Sequence, residues 1–249
     1  MRIVTLNTWK NEGDYPRRLD QMAEGLAALR ADVVCLQECF AGGGASTVDT
    51  LASVLGMFPH RAPSRRKLRQ HGPLRVMSTS GLAILTRDPS ARANLCALVS
   101  DPRDGQRIAQ RVDLVASGHP LRILNLHLTH LGGAKAEGVR AAQLTAALIW
   151  ATADYEGGLV LAGDLNATAA DSALAALELP AMPSTLHGAR TGTAPSSRLA
   201  IDHCVLLRKG GWRTVGTGRA LDQPDEDGWF PSDHAAVVLD LLAGDAGSS

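Results

Sequence analysis

Aromatic residues are scarce in this chain of 249 residues: four Trp, three Phe and two Tyr make up 4% of it. A core drawn from such a composition must rest mainly on Ala, Leu and Val. Net charge is also missing, because 25 basic residues balance 25 acidic ones. The whole molecule therefore has no electrostatic bias toward nucleic acid, although a local basic patch remains free to steer one. No apolar run approaches the roughly 18 residues that a membrane-spanning helix needs. The start, MRIVTLNTWK, has one early Arg and no apolar core, so it does not read as a secretory signal. Four cysteines, Cys35, Cys39, Cys96 and Cys204, form no CxxC pair and lie mostly in apolar surroundings. They read as buried reduced thiols, and with them the expected compartment is cytoplasmic. Nothing repeats at a solenoid or propeller period. The length suits one domain over residues 1–243, with residues 244–249 as a flexible tail.

What is present is a mixture of short apolar runs and helical patterns. Residues 3–6 form a β-type run, and residues 17–30 carry Leu19, Met22, Leu26 and Leu29 at helical spacing. Residues 33–36 (VVCL) are continuously apolar, as in a strand buried on both faces. A Gly-rich turn at 42–44 leads to an expected helix at 47–55. Strands are expected at 82–85, 110–116, 121–126, 159–162, 200–207 and 235–242, and the longest helix at 135–153, closed by Gly157 and Gly158. The later strands are poorly separated by helices. That disfavours a plain βαβ array and suits two packed sheets with helices outside.

Polar residues punctuate these runs. Asn7 follows 3–6, Glu38 follows 33–36, His127 follows 123–126, and Asp164 with Asn166 follows 159–162. Asp202 and His203 interrupt the run 199–207, while Asp233 and His234 precede 235–241. A single polar residue at a strand end is ordinary turn or cap chemistry. Six such places, each offering a carboxylate, carboxamide or imidazole, point to a shared site. Gathered carboxylates repel one another and lose hydration unless a cation or hydrogen-bond donors compensate them. Oxygen donors of this kind suit a hard ion, Mg²⁺ or Mn²⁺, better than a thiolate-held Zn²⁺.

The motifs carrying these residues are LNTW with Asn7, LQEC with Glu38, SGLAILTR at 80–87, NLHLTH with His127, GDLNA at 163–167, IDH at 201–203 and PSDHAAV at 231–237. In that order, and over nearly the whole chain, they resemble the endonuclease/exonuclease/phosphatase superfamily, which includes DNase I-like nucleases, AP endonucleases, inositol-polyphosphate phosphatases and neutral sphingomyelinases. The resemblance implies an α/β fold, a four-layered α/β/β/α sandwich of two mixed, mainly antiparallel sheets packed face to face with outer helices. It implies a metal held by Glu38 with Asn7 and Asp233, which would polarise a phosphoryl oxygen. Asp164 would orient or deprotonate the attacking water, Asn166 would donate to the phosphate, and His127 would contact phosphate or leaving group. Asp202 would fix the tautomer of His234, which would bind phosphate or act as acid and base. AP endonucleases carry a Tyr where this chain has His127, and an acid where it has Trp9. Both departures point away from that branch and put a second metal site in doubt.

The remaining signals are weaker. Residues 60–75 hold Arg61, Arg65, Arg66, Lys67, Arg69 and Arg75 with no acid, and read as a solvated, mobile loop or as a phosphate-steering loop. No aromatics are interleaved there for base stacking. Arg65, Arg66 and Lys67, with Trp229 and Phe230 as an apolar wall, are the expected substrate contacts. His203 reads as a hydrogen-bonded strand histidine, and Arg140 with Gln143 as ties from the long helix to the site's rim. The expected protein is a monomeric Mg²⁺ or Mn²⁺ phosphodiesterase acting on a small molecule, a phospholipid head group or nucleic acid. The alternatives are a DNA endonuclease or exonuclease of the same superfamily, and an inactive module that keeps the fold.

Overall fold

The computed structural model describes residues 1–174, 177 and 199–244. The last five residues of the expected tail, 245–249, lie outside them. The elements run β1 (Arg2–Asn7), α1 (Tyr15–Leu29), β2 (Val33–Gly42), β3 (Ala45–Ser46), α2 (Thr47–Leu55), β4 (Phe58–Ala62), β5 (Lys67–His71), β6 (Leu74–Thr86), β7 (Arg92–Leu98), β8 (Arg107–Ala116), β9 (His119–His127), α3 (Ala134–Thr152), β10 (Gly158–Asp164), β11 (Asp202–Arg208), β12 (Trp212–Ala220) and β13 (Ala236–Ala243). One sheet has the order β12-β13-β1-β2-β6-β4, with β3 on β2 and β5 on β6; the other has the order β11-β10-β9-β8-β7.

Each sheet contains one parallel pair, β1 with β2 and β9 with β10; every other pairing is antiparallel. A parallel pair needs a crossover, and α1 and α3 supply it, which places helices on the outer faces. Three cores follow. Leu6, Val34, Leu36 and Leu85 pack under α1 and α2. Leu124, Leu126, Leu159 and Leu161 pack under α3. Ile3, Val33, Cys35, Ile84, Ile123, Val160 and Cys204 fill the space between the sheets. This is the expected four-layered α/β/β/α sandwich. No helix among the described residues is long and apolar enough to cross a membrane.

The period of two along each strand builds the site. On the faces turned between the sheets, Ile3, Thr5 and Asn7 succeed one another on β1, Val33, Cys35 and Gln37 on β2, and Ile123, Asn125 and His127 on β9. Val160, Ala162 and Asp164 do the same on β10. The interlayer is thus apolar through its middle and turns polar toward one edge. Within it, Gln37 Nε2 donates to Asn125 Oδ1 at 2.7 Å, and Asn125 Nδ2 donates to the carbonyls of Leu36 and Ala83 at 3.1 Å each. Both side chains are fully buried. Asn125 therefore bolts one sheet to the other next to the polar edge.

The basic segment departs from its expected loop character. Residues 58–86 form β4, β5 and β6, with Leu68 opposite Met77 and Arg69 opposite Val76. Strong charge at alternate positions hides this strand pattern from a hydrophobicity reading. Arg69 is buried and donates to Ser78 O, Ser78 Oγ, Ser80 Oγ and Arg65 O.

Candidate active site

Register places three acidic or basic groups in a row. Asp164 on β10 stands opposite His127 on β9 and opposite Asp202 on β11. The preceding Gly163 has φ 137°, and a Cβ there would lie 2.0 Å from the Leu126 carbonyl oxygen, so only glycine permits this close approach before Asp164. Asn7 Nδ2 donates to Asp164 Oδ2 at 2.9 Å, and the Asn166 amide donates to Asp164 Oδ1 at 2.9 Å. Burial raises the Asp164 carboxyl, and neighbouring Asp202 adds to this. His234 and the two donors oppose it, leaving it up at about 7.

His234 Nδ1 donates to Asp202 Oδ2 at 2.8 Å, both groups being buried. Burial alone would push the imidazole down. Asp202 above all, then Asp164 and Asp233, override that and raise it to about 10. Its Nε2 lies 3.9 Å from Asp164 Oδ2 and 3.9 Å from Asp233 Oδ1. His127 is the opposite case. Burial, then Arg107 and Lys10, hold it well below the ordinary histidine range, so it stays neutral with Nε2 3.5 Å from Asp164 Oδ2. Asn166 adopts φ 49° and donates its side chain to Leu128 O at 3.0 Å.

Glu38 sits on a bulge, where the β2–β6 register shifts between Leu36 and Cys39 and φ reaches 55°. Its Oε2 lies 2.8 Å from Lys10 Nζ. Trp9 and Lys10 are both left-handed, at φ 53° and 47°. Arg18, fully buried on α1, holds that loop by donating to the carbonyls of Thr8, Trp9, Lys10 and Glu12, and reaches Pro231 O as well. One guanidinium thus ties the loop bearing Lys10 to the segment bearing Asp233 and His234. The Asp233 side chain is partly exposed, and burial raises its carboxyl.

Two groups of acids compete as a cation site. Asp164, Asp202 and His234 have ligand atoms within 4.8 Å of one another, but all three are buried and Asp202 and His234 already bond each other. Glu38 and Asp233 have side chains 12% and 30% exposed, so water can reach both. Glu38 already faces one cation, the Lys10 ammonium.

Arg140 donates to Thr129 O and Leu131 O, and Gln143 bonds Thr129 N and Val99 O, so both tie α3 to the rim. His203 Nε2 lies 2.8 Å from Ala167 O inside the fold. His130 Nδ1 faces Asp104 at 2.7 Å, away from the His127–Asp164 contact. Arg66 and Lys67 are exposed on the hairpin, while Arg65 lines a cavity shared with Glu38 and His127. Trp229 and Phe230 are half-buried, and the Trp9 and Trp229 rings both flank Gly13, where a Cβ would lie 3.2 Å and 3.5 Å from them. Lys10, Arg18, Gln37 and Asn125 were missed. The signal for Gln37 and Asn125 was present: each lies inside a quoted motif at an inward position of its strand. Nothing in the sequence marks Arg18 off from the charged residues of an ordinary helix.

A family model described as the endonuclease/exonuclease/phosphatase family matches residues 4–234. The chain belongs to this family, which is one of phosphoesterases and nucleases. Solved structures agree on the fold. An endonuclease/exonuclease/phosphatase from Beutenbergia cavernae is 21% identical with a TM-score of 0.73, over 99% of this chain and 72% of that one. The human nocturnin catalytic domain with a bound sulfate anion is 20% identical with a TM-score of 0.68, over 98% and 94%. A mannosyl-6-phosphatase of Bacteroides thetaiotaomicron is 18% identical with a TM-score of 0.68, over 97% and 99%. No curated protein matches the chain.

Proposed function

We propose that this protein is a Mg²⁺- or Mn²⁺-dependent phosphodiesterase that hydrolyses a P–O bond by in-line attack of water. The observation that carries this reading is the setting of Asp164: a buried carboxylate, oriented by Asn7 and Asn166, between a neutral His127 and a His234 that Asp202 keeps charged. A carboxyl raised to about 7 is matched to general-base work near neutrality. Asp164 takes a proton from water as its oxygen bonds phosphorus. His234, with Nδ1 committed to Asp202, presents Nε2–H to the phosphate or to the departing oxygen. Asn166 and His127 complete the cradle for the phosphoryl oxygens. Glu38 and Asp233, with Asn7 beside them, are the residues that would hold the ion, which supplies charge neutralisation at the phosphoryl oxygen.

Hydrolysis of bis-p-nitrophenyl phosphate is expected to require added Mg²⁺ or Mn²⁺ and to vanish in excess EDTA. Undiminished turnover in EDTA would remove the metal from the proposal. Saturating ion should also raise thermal stability, by about 2.7 kcal/mol at a hundredfold excess over Kd.

Lys10 makes a second measurement informative. Its ammonium neutralises Glu38, so an entering cation must displace it. Lys10→Met is expected to tighten Mn²⁺ binding several-fold, read from Mn²⁺-dependent melting shifts. Weaker binding in that variant would mean that Lys10 holds Glu38 in place instead.

A second reading within the same chemistry, a DNA endonuclease or exonuclease, is favoured by the exposed cations Arg66, Lys67 and Arg75 on the β5–β6 hairpin. Salt-sensitive cleavage of duplex DNA would support it.

A further inference from the structure

Strand β1 ends at Asn7, and the loop 8–12 that follows is held from three sides. Arg18 donates to the carbonyls of Thr8, Trp9, Lys10 and Glu12. Asn7 Oδ1 accepts from the Trp9 amide at 3.0 Å, and Asn11 Nδ2 donates to Gln70 O on β5 at 2.6 Å. Trp9 and Lys10 are both left-handed, a costly backbone for two successive residues with side chains. A lysine that only solvates a loop needs none of this. The clamped backbone fixes where the Lys10 stem leaves the chain, and its Nζ arrives 2.8 Å from Glu38 Oε2.

The ammonium acts on more than Glu38. At His127, on the other sheet, burial above all, then Arg107 and Lys10, keep the imidazole neutral. At Asp233, burial raises the carboxyl, while His234, Arg18 and Lys10 oppose the rise. The Lys10 charge is thus felt by residues that both sheets bring to the site. Neither Lys10 nor Glu38 is fully buried, so a ligand can reach the pair.

The pair is also exchangeable. An ammonium on a flexible four-carbon stem is a compact charge that turns between acceptors without backbone movement. The carboxylates deeper in the site are engaged: Asp164 accepts from Asn7 and the Asn166 amide, and Asp202 accepts from His234. Once Glu38 is taken up by an ion, the ammonium must turn to another anion. The anion brought to this mouth is the substrate's phosphate.

We infer that Lys10 is a catalytic cation, parked on Glu38 in the resting protein and released to a non-bridging oxygen of the reacting phosphate. This rests on the phosphoesterase reading and adds to it a residue that touches the substrate. Negative charge grows on the phosphoryl oxygens as water attacks, and a donor already positioned there favours the transition state over the ground state.

The first test uses neither metal nor turnover. Binding of inorganic phosphate in EDTA is measured by calorimetry in wild type, Lys10→Met, Glu38→Gln and the double variant. In wild type Glu38 keeps the ammonium, so Lys10→Met should change phosphate binding little. In Glu38→Gln the ammonium is released, and adding Lys10→Met should weaken binding by about 10-fold or more. Lys10→Arg in the same background should keep part of the affinity, and Lys10→Gln replaces the Met variant should that one not fold. Equal losses in the two backgrounds, or no phosphate binding to Glu38→Gln, would overturn the inference.

A second arm reads turnover. At saturating Mn²⁺, Lys10→Met should lower kcat on bis-p-nitrophenyl phosphate by about 10²-fold although its Mn²⁺ binding tightens. Lys10→Arg should recover part of that loss, and a wild-type kcat in Lys10→Met would overturn the assignment. Wild type that cleaves no phosphodiester defeats the hydrolase reading, while the phosphate cycle in EDTA still decides whether Lys10 is a phosphate contact.

Discussion

Asp164→Asn should lower kcat on a phosphodiester by about 10³-fold or more, while making the metal-free protein more stable at alkaline pH. The two effects share one cause. The ionised carboxylate is buried and stands opposite Asp202, so the fold works against it. Its folded pKa, about 7, lies above the ordinary carboxylate value of 3.8. The folded state therefore holds its proton more tightly than the unfolded state between those values. Its cost to stability is absent below about 4, grows as pH rises, and is complete above about 7. Asn cannot ionise and keeps a similar shape. In EDTA at pH 8 the variant should exceed wild type by on the order of 1 kcal/mol, with the gap closing toward pH 4. Melting curves at several pH values, with steady-state kinetics at one, measure both. A variant that is active, or less stable than wild type at pH 8, would take Asp164 out of the base role.

Arg18→Met should be the most damaging single change outside the catalytic row. Arg18 is fully buried and its guanidinium serves five carbonyls, with the Trp9 ring 4.6 Å away. Methionine fills much of the same volume and supplies none of those donors. Hydrogen bonds to charged groups are worth about 1.5–3 kcal/mol each, not additively, and orphaned carbonyls add to the loss. We expect a destabilisation of about 3 kcal/mol or more in urea unfolding. By contrast, the Arg2–Asp240 pair, with side chains 41% and 31% exposed, should cost no more than about 1 kcal/mol when broken. Because Arg18 joins the Trp9–Lys10 loop to Pro231, Mn²⁺ affinity should fall with stability. Arg18→Lys, which reaches fewer carbonyls, should be intermediate. Wild-type Mn²⁺ affinity in Arg18→Met would show that the clamp is structural alone.

The candidate site was legible in the sequence because its residues sit where apolar runs stop, and a strand end is a place that hydrophobicity marks. Asn7, Glu38, His127, Asp164, Asp202 and His234 all belong to that class, and the fold gathers them at one edge of the interlayer. Helices α1, α2 and α3 were legible for the same reason, since each buries a stripe. Five strands were not, the first being β3, which is only two residues long. In β4, β5, β7 and β12 few positions are buried, so charge and polarity mask the period of two. The positioning residues were hidden for another reason. Arg18 and Asn125 act through contacts 213 and 89 residues away in sequence, and no local pattern encodes such partners. Lys10 was passed over because one lysine after a motif looks like any surface charge.

Strand β13 lies between β12 and β1, and the residues that lead into it are Asp233 and His234. The chain thus closes its first sheet with one of its last strands, pairing Leu239 with Ile3 across most of its length. The candidate site therefore joins residues from the first strand to residues that lead into β13. A nascent chain can carry Asn7, Glu38, His127 and Asp164 well before its charged histidine exists. At about 5–20 residues per second, several seconds separate the emergence of Asp164 from that of His234. On the proposed mechanism, a chain that stops before Asp233 lacks both the strand that pairs with β1 and the imidazole that Asp202 holds, so it should not hydrolyse a phosphodiester.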